Sequence, residues 1–172
     1  MMRFLQIHNW LVELAGERSG TSLVEMTIMA PLLIILALGI VEFGRALQDH
    51  HVMNKAMRDA ARYLARVPVT CPSGSATGTV TNSGDITTAK NLALNGTPTG
   101  GSPRVSYWTN PATIAVEVDC FDNTAGTYRG EPEIPLITVS ATVPYQDLGF
   151  VSVLGLSAWT FSVHHQQMHI GE

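Results

Sequence analysis

The sequence predicts an α+β protein. A long N-terminal helix, apolar in its first half and amphipathic in its second, carries a small antiparallel β-sheet domain packed on its outer half. Three observations predict it. Met26 to Val41 is an uncharged apolar run. From Phe43 onward, apolar residues recur at three- and four-residue steps. Beyond residue 100 the period changes to two, in short segments separated by turn signals.

The apolar run is bounded by two acids, Glu25 and Glu42. The helical steps between them cover about 26 Å at the standard rise. That is close to the hydrocarbon thickness of a bilayer, about 30 Å. Residues 21–43 are therefore read as a transmembrane helix. Residues 1–20 are not an ordinary secretory signal. They include Glu13 and Glu17, the apolar run follows them, and no A-x-A box comes after the run. Phe4, Leu5, Trp10, Leu11 and Leu14 fall on one broad face. Two readings of this segment stay open: an amphipathic stretch touching the membrane surface, or a loose tail.

Residues 44–66 continue the helix with one apolar stripe, in which Phe43, Leu47, Met53, Ala56, Met57, Ala60 and Leu64 alternate with polar residues. Pro68 stops it, because the residue before a proline avoids the helical region. Residues 67–172 form a β-rich domain. Thr70–Gly84, rich in Ser, Thr, Gly and Pro, reads as an exposed loop. Asp85–Leu94 fits a short helix with Asp85 as N-cap and Gly96 near its stop. Four strands follow by alternation: Val105–Trp108, then the sets Ile114/Val116/Val118/Cys120, Ile137/Val139/Ala141/Val143 and Trp159/Phe161/Val163. Leu148–Leu156 fits either a short apolar helix or an extended crossing.

Bulk properties exclude several classes. The net charge is −4, with 10 Lys and Arg against 14 Asp and Glu. No basic stripe marks a nucleic-acid partner. Cys71 and Cys120 are the only cysteines and form no C-x-x-C pair, which argues against zinc and thiol-redox sites. They are read as one disulfide if the domain is exported, or else as two buried thiols. His50-His51 and His164-His165 are adjacent, so their side chains diverge. No H-E-x-x-H spacing, phosphate loop or nucleophile motif occurs. No metal, cofactor or catalytic residue is expected, and the chain is read as a non-enzyme. Arg3 and Arg18 precede the span, whereas Arg45, Lys55, Arg58 and Arg62 follow it, so the charge count alone favours an outside N-terminus.

Several spaced segments carry a resemblance: Gly20-Thr-Ser-Leu-Val-Glu25-Met, Ala30-Pro31-Leu-Leu, Gly39-Ile-Val-Glu42-Phe43-Gly44-Arg45 and Ala60-Ala61-Arg62-Tyr63. Together they resemble the TadE-like proteins, minor pseudopilins of the tight-adherence (Flp, type IVc) pilus system. The resemblance is close over residues 16–66 and weak over 67–172. It implies a pilin-like fold, a prepilin-type leader over 1–20, and cleavage between Gly20 and Thr21 by a membrane prepilin peptidase. It also implies a single-pass protein of the bacterial inner membrane. The N-terminus would be cytoplasmic and the C-terminal domain periplasmic or extracytoplasmic, in partnership with other minor pseudopilins, pilins and the assembly platform.

The residues suit these roles. Glycine tolerates the extended, closely approached backbone of a scissile site. A carboxylate in a membrane helix is costly and takes a partner. Cleavage after Gly20 creates an ammonium on Thr21, four residues before Glu25 on the same helical face. Glu25 is thus the expected assembly residue, either within one chain or between neighbours, with a headgroup-level acid as the competing reading. Pro31 removes a helix hydrogen bond and is expected to kink the span. Glu42 and Arg45 are expected to form an interfacial pair at the watery edge. Two rivals remain: an unprocessed bitopic anchor that binds or scaffolds in the envelope, and an anchored hydrolase.

Overall fold

The computed structural model describes residues 19–127, 132–153, 155 and 159–170. Nearly all of the expected leader lies outside these residues, as do Leu154 and Leu156 of the late apolar segment. The chain divides into two compact units, Met1–Glu42 and Phe43–Glu172. One helix, α1 (Ser19–Leu64), supplies the described part of the first and the opening of the second.

In the first unit, α1 turns its apolar side chains outward on all sides; Leu23 and Ile40 are 70% and 72% exposed. Water would not leave such a surface bare, whereas lipid hydrocarbon matches it. This helix is long and apolar enough to cross a membrane. It runs through Pro31. Proline has no N–H to offer the carbonyl of Thr27. Thr27 itself donates its hydroxyl to the carbonyl of Leu23, 2.7 Å away.

In the second unit the helix acquires an inner face. Met53, Ala56, Met57, Ala60, Ala61, Leu64 and Ala65 are fully buried. The alanines let neighbouring elements approach closely, and the methionines fill the uneven gaps left between them. The stripe is shorter than the periodicity predicts. Phe43 and Leu47 are exposed, and Ala46 is the first buried residue. Periodicity identifies a face but not where a partner begins to cover it.

A two-stranded hairpin, β1 (Val69–Thr70) with β2 (Thr79–Val80), occupies part of the segment read as a loop. Helix α2 (Ser83–Asn95) follows. Its N-cap is Asn82, whose side chain accepts from the N–H of Gly84 at 2.9 Å. The expected cap, Asp85, stands inside the first turn and accepts instead from the Tyr63 hydroxyl, also at 2.9 Å. Gly96 ends α2 in the left-handed region (φ 78°), its N–H bonded to the carbonyl of Leu92. Glycine holds that conformation without the strain a Cβ brings.

The main sheet is antiparallel with order β3-β4-β5. The strands are β3 (Ile114–Asp122), β4 (Glu133–Pro144) and β5 (Thr160–Met168). A short turn of helix, α3 (Phe150–Val153), lies in the connection before β5. On β4 the alternating residues Ile137, Val139, Ala141 and Val143 are all buried, as the period of two predicts. Register aligns Ile114 with Ala141 and Val118 with Ile137, and Val139 with His165. Val118 and Ile137, both β-branched, thus meet across the strands in one core with the buried helix residues.

Val105–Trp108 is not a strand. It forms a turn closed by the N–H of Trp108 on the carbonyl of Val105, 2.9 Å away. Asn110-Pro111 then starts a 3-10 turn over Pro111–Thr113. Trp108 folds into the core at 1% exposure and donates its indole N–H to Thr113 Oγ1 at 2.9 Å. The apolar pattern reflected burial, and proline punctuation prevented pairing. Trp159, expected within the last strand, precedes β5 and is 40% exposed.

Candidate processing and assembly site

The candidate residues fall at three places. Gly20, Thr21 and Glu25 lie in the opening turns of α1. Gly20 is exposed, and a Cβ built there meets nothing within 4 Å. It is the second residue of the helix, so an enzyme that needs extended backbone must first fray one turn; helix ends have unpaired N–H groups and open easily. Glu25 is also exposed. Among the described residues it makes no hydrogen bond or ion pair, while its neighbours Leu23, Val24, Met26 and Ile28 present apolar surface.

Glu42 differs. It is 4% exposed and has an interaction partner. The watery edge expected for it is therefore replaced by a buried setting. Arg45 is half-buried, and its Nη1 is enclosed without a hydrogen bond. Its positive charge acts on Tyr107. The two acids that bracket the apolar run thus have opposite surroundings.

The cysteines occupy the second unit. Cys71 and Cys120 are joined as a disulfide, with Cα atoms 5.9 Å apart and no free cysteine remaining. The bridge ties the chain after β1 to the end of β3. Between these points, residues 76–78 lie along the edge of β3. Gly78 donates to Val118, Ala76 accepts from Cys120, each at 2.9 Å, and Thr77 bridges to Asp119. This strap covers part of an edge strand that would otherwise present unpaired backbone. Glu133 stands beside both sulfurs, and one of its oxygens accepts from the N–H of Gly74. With the sulfurs bonded to each other, the group offers no thiolate to a metal.

Residue spacing alone missed a second constellation. Tyr107 donates to Asp49 Oδ2 at 3.1 Å. Burial, followed by the charge of Asp49, holds its hydroxyl pKa well above the ordinary value. Tyr145 stands edge-on to Tyr107 and stacks on Trp159, the second pair of centroids 5.0 Å apart. Phe161 contacts both Tyr145 and His50. These residues come from four separate stretches of chain. Two aromatics flanking strand ends, Tyr145 after β4 and Trp159 before β5, were the available signal. Farther along α1, Arg104 pairs with Asp59 at 2.9 Å; both are partly solvated, so the pair contributes about 0–1 kcal/mol.

No curated protein and no solved structure matches the chain. A family model described as TadE-like protein matches residues 20–62. The matched segment begins on Gly20 and takes in Glu25, Pro31, Glu42 and Arg45. The match supports an association with tight-adherence pilus systems, and among the described residues one helix is long and apolar enough to anchor the chain in a membrane. Over residues 20–62, almost the whole of α1, the chain is similar to TadE-like proteins.

Proposed function

We propose that this chain is a minor pseudopilin required for assembly of a tight-adherence (Flp-type) pilus. A prepilin peptidase cuts between Gly20 and Thr21. The mature helix stays in the inner membrane with its new N-terminus on the cytoplasmic side and the second unit outside. The positively charged residues after the span oppose this orientation by count. The processing register and the disulfide favour it, because structural disulfides persist in oxidising compartments. The second unit offers its surface to other minor subunits or pilins at the assembly platform.

The carrying observation is the TadE-like match that begins on Gly20, with Glu25 exposed and without an ion pair among the described residues five positions later. An isolated carboxylate against hydrocarbon is costly. The ammonium that cleavage creates on Thr21 supplies the missing charge, on the same chain or on a neighbour. Pairing between neighbours would fix their axial register. Pro31 supplies a weak point in the span's hydrogen bonding, useful when a subunit leaves the bilayer.

N-terminal sequencing of the membrane form tests this reading. Thr21 as the first residue supports it; Met1 favours an unprocessed bitopic anchor and refutes the processing step. Replacing Gly20 with a bulky residue is expected to leave full-length protein in the membrane. Glu25→Gln is expected to be inserted and cleaved but to lose piliation, because an amide cannot neutralise an ammonium. Normal piliation by Glu25→Gln at matched expression refutes the assembly role.

A further inference from the structure

The exposed apolar residues of the second unit form two groups. Phe121, near the end of β3, and Met168 and Ile170, at and just past the end of β5, lie at one end of the sheet. Phe43 and Leu47 lie at the start of the unit's helix, Trp159 just before β5, and Leu148 in the connection from β4 that leads to it. The register of β5 on the helix separates them. Phe161 meets His50, whereas Ile170 donates its N–H to the carbonyl of Ala65 at 3.0 Å. The two groups are therefore roughly 30 Å apart along an extended strand.

Two members of the second group, Phe43 and Leu47, follow the apolar run directly in sequence. Phe43 directly follows Glu42, and Asp49 lies only seven residues beyond it, about 10 Å of helix. Asp49 accepts from Tyr107, Tyr107 packs on Tyr145, and Tyr145 stacks on Trp159. Trp159 is thus fixed against the helix start by an unbroken series of contacts. Tyr145 is buried beneath it, while the indole remains 40% exposed. Tryptophan and tyrosine with one apolar side and one wet side concentrate at the headgroup level of bilayers. The cation Arg45 belongs to the same end, and a long basic side chain reaches toward lipid phosphate while its stem stays in apolar surroundings.

We propose that this end of the second unit is a lipid-contact surface, with Trp159 anchored at the bilayer interface and Phe43, Leu47 and Leu148 seated beside it. The occupant is the membrane that holds the apolar helix, so the proposal rests on the single-pass anchor reading. Such a contact would hold the β-domain against the membrane before assembly, and extraction into a pilus would have to release it.

The test uses the full chain reconstituted in phosphatidylcholine vesicles, with and without bromine on the lipid acyl chains. Trp10→Phe is the background. Trp108 is buried in the core, and subtracting the emission of Trp10→Phe/Trp159→Phe isolates Trp159. Co-flotation with vesicles is measured in parallel. Trp159 is expected to lose most of its emission in brominated lipid. An Ile170→Trp reporter placed in the Trp10→Phe/Trp159→Phe background is expected to lose none. Equal Trp159 emission in the two lipids, with the protein floating, overturns the proposal but leaves the anchor intact; a blue-shifted but unquenched Trp159 would identify a second copy as the occupant instead. Quenching at Ile170→Trp as well overturns the placement of the surface at one end. Failure to float overturns the anchor reading and this proposal with it.

Discussion

Removing the Cys71–Cys120 bridge is the sharpest perturbation of the second unit. The double change Cys71→Ala/Cys120→Ala frees a loop whose ends lie 49 residues apart. In the chain-entropy model, closing a loop of that size restricts the unfolded chain enough to stabilise the fold by about 4 kcal/mol. The folded ends are held by more than the bridge. The hydrogen bonds of Ala76 and Gly78 to β3 and the pairing of β1 with β2 persist without it. The second unit should therefore still fold, with its melting temperature lowered by roughly 10–20 °C for a domain of this size. The assay is thermal unfolding of the full-length protein in detergent, oxidised, reduced and as the double variant. The reduced wild type and the variant should agree. A drop of less than about 3 °C in both would refute the reasoning. It would mean that residual structure already restricts the unfolded chain, or that the native state relaxes when the bond is broken. Two free thiols in protein taken from intact cells would remove the premise and weaken the case for an outside location.

Two further outcomes follow from the same unit. Gly78→Ala is expected to destabilise by about 1–3 kcal/mol through overpacking, because its Cβ would lie 2.8 Å from both Cys120 Sγ and the carbonyl oxygen of Thr70; an unchanged melting temperature would show that the strap moves aside freely. Burial, then the charges of Arg58, Arg62 and His164, hold the imidazole of His165 below its ordinary value of 6.5. The folded state thus binds this proton less readily than the unfolded chain, so stability falls as pH drops through 6.5 toward the lower folded value. His165→Gln should flatten that part of the pH–stability profile; an identical slope would assign the titration elsewhere.

Much of the architecture is legible in the residues because burial and period are coupled. The uncharged run from Met26 to Val41 has no polar face, so it marks a surface meant for lipid. The alternating β-branched residues of β4 are buried on one side because β4 is the central strand. The misses occur where tertiary contacts decide. Phe43 and Leu47 keep the helical spacing of the stripe yet stay exposed. Val105 and Trp108 are buried without being a strand, since turn geometry can bury side chains as well as a sheet can. Asp85 has the chemistry of a cap, but the Tyr63 hydroxyl and Asn82 divide the tasks differently. The hairpin of β1 and β2 has too few residues to show a period. The cluster of Tyr107, Tyr145, Trp159 and Phe161 assembles residues that no local window contains.

Glu42 carries the largest consequence. Sequence spacing makes Glu25 and Glu42 look alike, one acid at each end of an apolar run. Their surroundings separate them. Glu42 is buried and has an interaction partner, and a buried carboxylate is tolerated only when such partners replace its water. Changing it perturbs the folded chain itself, so Glu42→Gln is not a neutral comparison for Glu25→Gln. Glu25 is exposed on an apolar helix, with no ionic or hydrogen-bonding partner among the described residues. On the proposed reading, the charge that relieves it comes from processing, from a neighbouring subunit or from the headgroup layer. Only the first two depend on a free Thr21 amine. A membrane-inserted Glu25→Gln protein that matures normally and fails only in assembly would separate them from the third, because a headgroup-level acid loses nothing essential when it becomes an amide.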